Sequence, residues 1–109
     1  MKDIEKAMSI ISYQVDGEDI EILVKDENVW ATQKAISKIF DTERSVITKH
    51  LSNIFDSQEL DENSNVQKMH IAKSDKPVQF YSLDATISVG YRVNSKKATQ
   101  FRIWATGIL

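Results

Sequence analysis

The spacing of hydrophobic and polar residues changes period several times along the chain, and each change marks an element. Ile11, Tyr13 and Val15 alternate with Ser12, Gln14 and Asp16, and after Asp16-Gly17-Glu18-Asp19 the alternation resumes at Ile20, Ile22 and Val24. Period-two runs around an Asp-Gly pair predict a β-hairpin. Residues 1–9 carry no such pattern and are expected to be a flexible leader. Residues 25–28 are polar and predict a connection, from which Val29-Trp30 lead into a helix capped by Thr32. Ala35, Ile36, Ile39 and Phe40 then fall on one side at helical spacing.

A second amphipathic helix, about 43–55, follows a short turn. Ile47, Leu51 and Ile54 form its apolar side, while Arg44, Ser45, Thr48, Lys49 and Ser52 share another. Thr42 is the expected cap. Asp41 sits where such turns need positive φ, which aspartate tolerates better than most side chains. Two short helices joined this way, over about 32–55, predict a helix-turn-helix, whose second helix can enter a DNA major groove. Beyond an acidic, polar loop at 56–65, period two returns near Met69 and Ile71 and again at Val78 and Phe80. Ser74-Asp75-Lys76-Pro77 lies between them, so a second hairpin is expected. Leu83, Ile87 and Tyr91 are four apart, with Gly90 beside them, and predict a short helix with one close packing contact. Asn94 or Ser95 caps a last helix striped by Phe101, Trp104, Ala105 and Ile108. The pattern as a whole is α+β: a helix-turn-helix core, two β-hairpins and a C-terminal helical pair, in one domain over 1–109.

Charge sharpens this picture more than bulk composition does. The net charge is −2, which alone argues against a nucleic-acid partner. The distribution argues the other way. Residues 1–31 hold eight acids against three lysines, whereas residues 85–109 hold Arg92, Lys96, Lys97 and Arg102 and no acid. Such segregation can give a slightly acidic protein one basic surface, and local potential is what a phosphate backbone feels. Lys96 and Lys97 fall in the first turn of the last helix, where cations oppose the helix dipole. A bound anion would account for them, and so would ordinary surface lysines. Lys68, His70, Lys73 and Lys76 could make the second hairpin a wing along a groove or leave it an exposed ribbon.

On the second helix, Arg44 can pair with two acceptors of guanine, and Thr48 can touch a thymine methyl or a phosphate. Lys49 is expected to position against the backbone. Glu43, at the start of that helix, opposes a phosphate. A chemical centre is not expected: there is no Gly-rich phosphate loop, nucleophile elbow or zinc-protease helix. Cysteine is absent, and His50 and His70 stand twenty residues apart, so neither disulfide, metal nor cofactor is expected. No apolar run approaches the ~20 residues of a membrane span. A cytoplasmic location, with no membrane partner, is the expectation.

The segment Phe80-Tyr81-Ser82-Leu83-Asp84-Ala85-Thr86-Ile87-Ser88-Val89-Gly90-Tyr91-Arg92-Val93-Asn94-Ser95-Lys96-Lys97-Ala98-Thr99-Gln100-Phe101-Arg102-Ile103-Trp104-Ala105-Thr106 strongly resembles the RhuM family. These are bacterial proteins described as virulence-associated, or as DNA-binding proteins encoded near restriction–modification systems. Val29-Trp30-Ala31-Thr32-Gln33, Asn53-Ile54-Phe55 and Glu59-Leu60-Asp61-Glu62-Asn63-Ser64 match as well. Thr86 departs from the pattern, which has an aliphatic residue there. Family members are usually longer, so the resemblance implies an N-terminal module of a larger protein. A looser similarity, to Bro-N domains, rests on the order of elements and on the F-R-x-W helix. The family motif falls on Gly90, Tyr91, Arg92, Asn94, Ser95, Thr99, Gln100, Phe101, Arg102 and Trp104, and the resemblance implies no chemical role for any of them. Physically, Gly90, Phe101 and Trp104 suit packing, while Arg92, Asn94, Lys96, Gln100 and Arg102 suit a second contact surface.

Together these readings predict a double-stranded-DNA-binding module. Its reading residues would be Arg44, Ser45, Thr48, Lys49 and Ser52, with Arg92, Lys96, Lys97 and Arg102 as further contacts. The alternative is a protein-interaction or oligomerisation module, binding another protein or a second copy of itself.

Overall fold

A computed structural model describes residues 8–70 and 75–109. Its described elements are β1 (Ser9–Val15), β2 (Glu18–Lys25), β3 (Asn28–Ala31), α1 (Gln33–Ile39), α2 (Arg44–Asp56), α3 (Glu62–Asn65), β4 (Val66–Met69), β5 (Val78–Ser82), α4 (Leu83–Val93) and α5 (Ser95–Ile108). The fold is mixed α and β. Residues 1–7 of the expected leader, and Ile71 and Lys73 of the expected second hairpin, lie outside the described residues; Ser9 already belongs to β1.

The strands form one antiparallel sheet in the order β1-β2-β3-β5-β4. Both expected hairpins are present, as the pairs β1–β2 and β4–β5, but a further strand joins them into one sheet. Residues 28–31 lead into α1 as expected, but they themselves form β3, whose Trp30 and Ala31 pair with Ser82 and Tyr81 of β5. That strand fuses the N-terminal hairpin to the later one. The β2–β3 turn escapes a sequence reading because it lacks glycine: Asp26 and Glu27 both take φ of 55°. A two-residue hairpin turn with positive φ at both central positions ordinarily advertises itself through Asn-Gly or Asp-Gly. Here side chains at its edge hold it. The Trp30 indole donates to the Lys25 carbonyl at 3.1 Å, and Asn28 Oδ1 accepts from the Val29 amide at 2.8 Å. The β1–β2 turn is as expected, with Asp16 at φ 51° and Gly17 at φ 82°.

The longer helices cover one sheet face. Ile20, Ile22, Val29 and Ala31 from the strands meet Ile36, Ile39, Phe40, Ile47, Leu51 and Ile54 from the α1–α2 region, and Val89, Ala98, Phe101 and Ala105 from α4 and α5. Tyr13 packs edge-on against Phe101 with ring centroids 5.1 Å apart, and Trp104 lies 4.6 Å from the same tyrosine ring. Burial pushes the Tyr13 hydroxyl above its ordinary pKa, partly countered by Lys97. The other sheet face carries a smaller buried cluster of Leu23, Trp30, Met69 and Phe80.

Caps set the helix limits. Thr32 accepts from the Ala35 amide, as expected, and Asn94 accepts from the Lys97 amide. Thr42 does not cap α2: its hydroxyl donates instead to the Phe40 carbonyl, and Glu43 takes the cap position without a side-chain bond. Asp41 has φ 52°, the left-handed conformation expected of that turn. On α4 the expected stripe is displaced. Ala85, Thr86, Val89 and Gly90 are buried, Leu83 and Ile87 only partly, and Tyr91 is exposed. On α5, Ile108 is likewise exposed rather than part of the core stripe. Thr86, the departure from the family pattern, is accommodated inside because its hydroxyl donates to the Ser82 carbonyl at 2.8 Å.

Ser82 is the joint of this half. It is 1% exposed, accepts from the Ala85 amide at 3.1 Å and donates to Asn65 Oδ1 at 2.6 Å. Ser82→Ala removes a helix cap and leaves the Asn65 carbonyl short of a donor. The expected cost is about 1–2 kcal/mol, measured as a lower urea midpoint at unchanged m-value; an unaltered midpoint would refute it.

Candidate nucleic-acid interface

α1 and α2 are joined through residues 40–43 and pack by Ile36, Ile39, Ile47 and Leu51. Burying Ile47, Leu51 and Ile54 turns the opposite side of α2 outward, because residues three and four apart share a helix face. Arg44, Ser45, Thr48, Lys49 and Ser52 are all exposed there. Among the described residues neither Arg44 nor Lys49 has a carboxylate partner. The Thr48 hydroxyl is held locally, within hydrogen-bond distance of the Arg44 carbonyl and of Gln33 Oε1.

Three clefts border the α1–α2 unit; one sets Lys34 and Lys38 beside Asp19 and Glu21 of β2, and the other two differ in charge. One, of about 560 Å³, is lined by Asp16, Glu18, Asp41 and Glu43 with Lys38 the single cation, and Lys38 is itself 3.6 Å from Glu18. A polyanion is repelled there. The other, of about 470 Å³, is lined by Thr32, Gln33, Lys34, Arg44, Val78, Gln79 and Tyr81 and contains no acid. Electrostatics therefore favour approach to α2 from the side of Lys34 and β5. The later hairpin, left open above as ribbon or wing, supplies one wall of this cleft through Val78 and Gln79.

Sequence reasoning missed Gln33, Lys34, Gln79 and Tyr81. Gln33 donates to the Tyr81 hydroxyl at 2.9 Å, and Gln79 donates to the same oxygen at 2.9 Å. No local spacing connects these residues; they meet only because β5 lies beside β3 and ahead of α1.

The basic C-terminal residues stand differently. Arg92 is ion-paired with Glu59, and Lys97 is 2.6 Å from Asp16. Arg102 Nε donates to the Tyr91 hydroxyl at 3.3 Å, and this contact, with help from Thr99, holds that phenol below its ordinary pKa. Lys96 and Gln100 are exposed with no partner among the described residues. Of the expected C-terminal contacts, Arg92 and Lys97 thus have carboxylate partners, which weakens their pull on an outside anion, whereas Arg102 meets only a phenol and Asn94 serves as a helix cap. Among the described residues no group of three His, Cys, Asp or Glu side chains is placed to hold a metal ion, and no helix is long and apolar enough to cross a membrane.

Residues 58–109 match the family model described as the Virulence protein RhuM family. That stretch of the chain is similar to the RhuM family. No curated protein and no solved structure matches the chain. The RhuM segment runs from the end of α2 through α5, so it contains the β5 wall of the basic cleft but not Lys34, Arg44 or Lys49. Its motif residues largely build the fold. Gly90 lets α4 approach Phe40 and Ala98, Asn94 caps α5, Arg92 ties α4 to Glu59, and Phe101 and Trp104 close over Tyr13. The RhuM signature in this chain is therefore chiefly that of a helical pair packed against a sheet.

Proposed function

We propose that the protein binds double-stranded DNA through a helix-turn-helix formed by α1 and α2, with α2 as the reading helix. The observation that carries this reading is the outward face of α2: Arg44, Ser45, Thr48, Lys49 and Ser52 are exposed together, and its two cations lack carboxylate partners among the described residues. Such a face offers donors to base edges and charge to phosphates. The acid-free cleft beside it supports the same reading. Lys96 and Arg102 are the C-terminal cations suited to an additional phosphate, since both are exposed without a carboxylate partner among the described residues while Arg92 and Lys97 are engaged with Glu59 and Asp16.

Fluorescence anisotropy with a labelled duplex at two salt concentrations tests the reading. Binding at low salt that weakens steeply with added salt is the expected result, because neutralised phosphates release counterions. No binding to any duplex at low salt would defeat it. A second reading, a protein-interaction module, draws on the exposed Ile103, Ile108 and Leu109 of the α5 region. It predicts oligomers by light scattering and no salt-sensitive duplex binding.

A further inference from the structure

The basic cleft has a feature that a merely solvated face lacks. Tyr81 is 5% exposed, yet it lines the cleft, and its hydroxyl accepts from two amides of cleft residues, Gln33 Nε2 and Gln79 Nε2. A phenol oxygen that accepts twice still has its own proton to give, and no acceptor for it lies within hydrogen-bond distance among the described residues. Lys34 and Arg44 line the same space, both without an ion pair among the described residues. Two unpaired cations and a buried hydroxyl with an unspent donor, in a cleft free of carboxylates, describe the chemistry of an anion acceptor.

We propose that this cleft is a phosphate subsite, holding one phosphodiester of the nucleic-acid backbone between Lys34 and the Tyr81 hydroxyl, with Arg44 adding positive potential at its edge while its guanidinium reaches the adjoining base. The inference rests on the DNA-binding reading for its ligand and deepens it. The cleft is large enough for the sugar as well, and Val78 gives that sugar an apolar wall. A phosphodiester rather than a carboxylate is favoured because the cleft shares Arg44 with the exposed face of α2, along which a backbone would run. Gln33 joins the two: it contacts Thr48 on α2 and Tyr81 on β5, so it acts as a positioning residue that keeps the reading helix in register with the subsite.

The test uses the whole chain, with Lys34→Gln and Tyr81→Phe. Lys34 is exposed, so its replacement leaves the core untouched, and Tyr81→Phe keeps the buried ring. Duplex affinity is measured at several salt concentrations, and amide shifts are followed while inorganic phosphate is added. Lys34→Gln is expected to weaken duplex binding about three- to tenfold irrespective of sequence and to lower the salt slope by roughly 0.9, the value of one phosphate contact. Tyr81→Phe should weaken binding with the slope unchanged, since it removes a hydrogen bond and no charge. Phosphate alone should shift amides at 32–34, 44 and 78–81, and both variants should diminish those shifts. If wild-type protein binds duplex but Lys34→Gln leaves affinity and slope as they were, the subsite is overturned while the reading helix stands. If no duplex binds, the DNA-binding reading falls and phosphate decides the cleft. Saturable shifts confined to it and lost in Lys34→Gln sustain the subsite; absent shifts, or shifts spread over the surface, overturn it.

Discussion

Replacing Arg44 and Lys49 together by alanine is expected to weaken duplex binding by about a hundredfold or more at low salt, since a single base-reading pair can contribute roughly 1–3 kcal/mol. The two single variants should differ in kind. Arg44 stands at the first turn of α2, where the leading residues of a recognition helix meet base edges, so Arg44→Ala should relax the preference among sequences as well as lower affinity. Lys49, one turn along, is placed to meet the backbone; Lys49→Ala should weaken all duplexes alike and flatten the salt dependence by about one contact, roughly 0.9 in slope. Both residues are exposed, so unfolding should be unchanged. The measurement is anisotropy against a panel of duplexes, beside urea unfolding of each variant. Undiminished binding by the double variant would remove α2 as the reader, whatever else on the surface holds DNA.

The largest expected effect on stability is that of Gly90→Ala. An added Cβ would lie 2.5 Å from Phe40 Cζ, 2.7 Å from Phe40 Cε1 and 2.8 Å from the Ala98 Cβ. Alanine is the better helix former by about 1 kcal/mol, so an open site would gain stability. Here the clash dominates. Phe40 is only 2% exposed and Ala98 is fully buried, so neither the ring nor the facing helix can yield without disturbing the core. Overpacking of this kind costs about 1–3 kcal/mol, and the net result should be a clear fall in the urea midpoint. Combining Gly90→Ala with Phe40→Leu should cost less than the sum of the two, because the smaller side chain removes the closest obstacle. A rise in stability for Gly90→Ala alone would contradict the packing described. The prediction also bears on function, since Phe40 ends α1 and the same contact fixes the turn before α2.

Much of the fold is legible in the residues. The β1–β2 hairpin, the two helices around Asp41, the break at Asn94 and the close approach at Gly90 all follow from period, caps and turn chemistry. The third strand does not, since Asp26-Glu27 has no glycine to mark its turn and four residues are too few to show a period. The short helix α3 was hidden in a polar stretch with no buried face. Of the candidate interface, the outward face of α2 was readable because a helix that buries Ile47, Leu51 and Ile54 must expose what lies opposite. The cleft was not, since Gln33, Lys34, Arg44 and Tyr81 come from three separated elements.

The sequence by itself determined the elements and the polarity of each face, because burial repeats at the period of the local backbone and neighbouring residues carry that record. Tertiary structure alone decided which charges remain available. Lys97 meets Asp16 across 81 positions and Arg92 meets Glu59 across 33, so basic residues that look free in a linear reading are already neutralised. Arg44 and Lys49 escape that fate, because Asp16 and Glu18 lie at the other side of the α1–α2 turn, and Lys34, although it borders Asp19 and Glu21, forms no ion pair among the described residues. Coulomb attraction depends on distance in space, and the packing of α4 and α5 against the rest of the fold sets those distances.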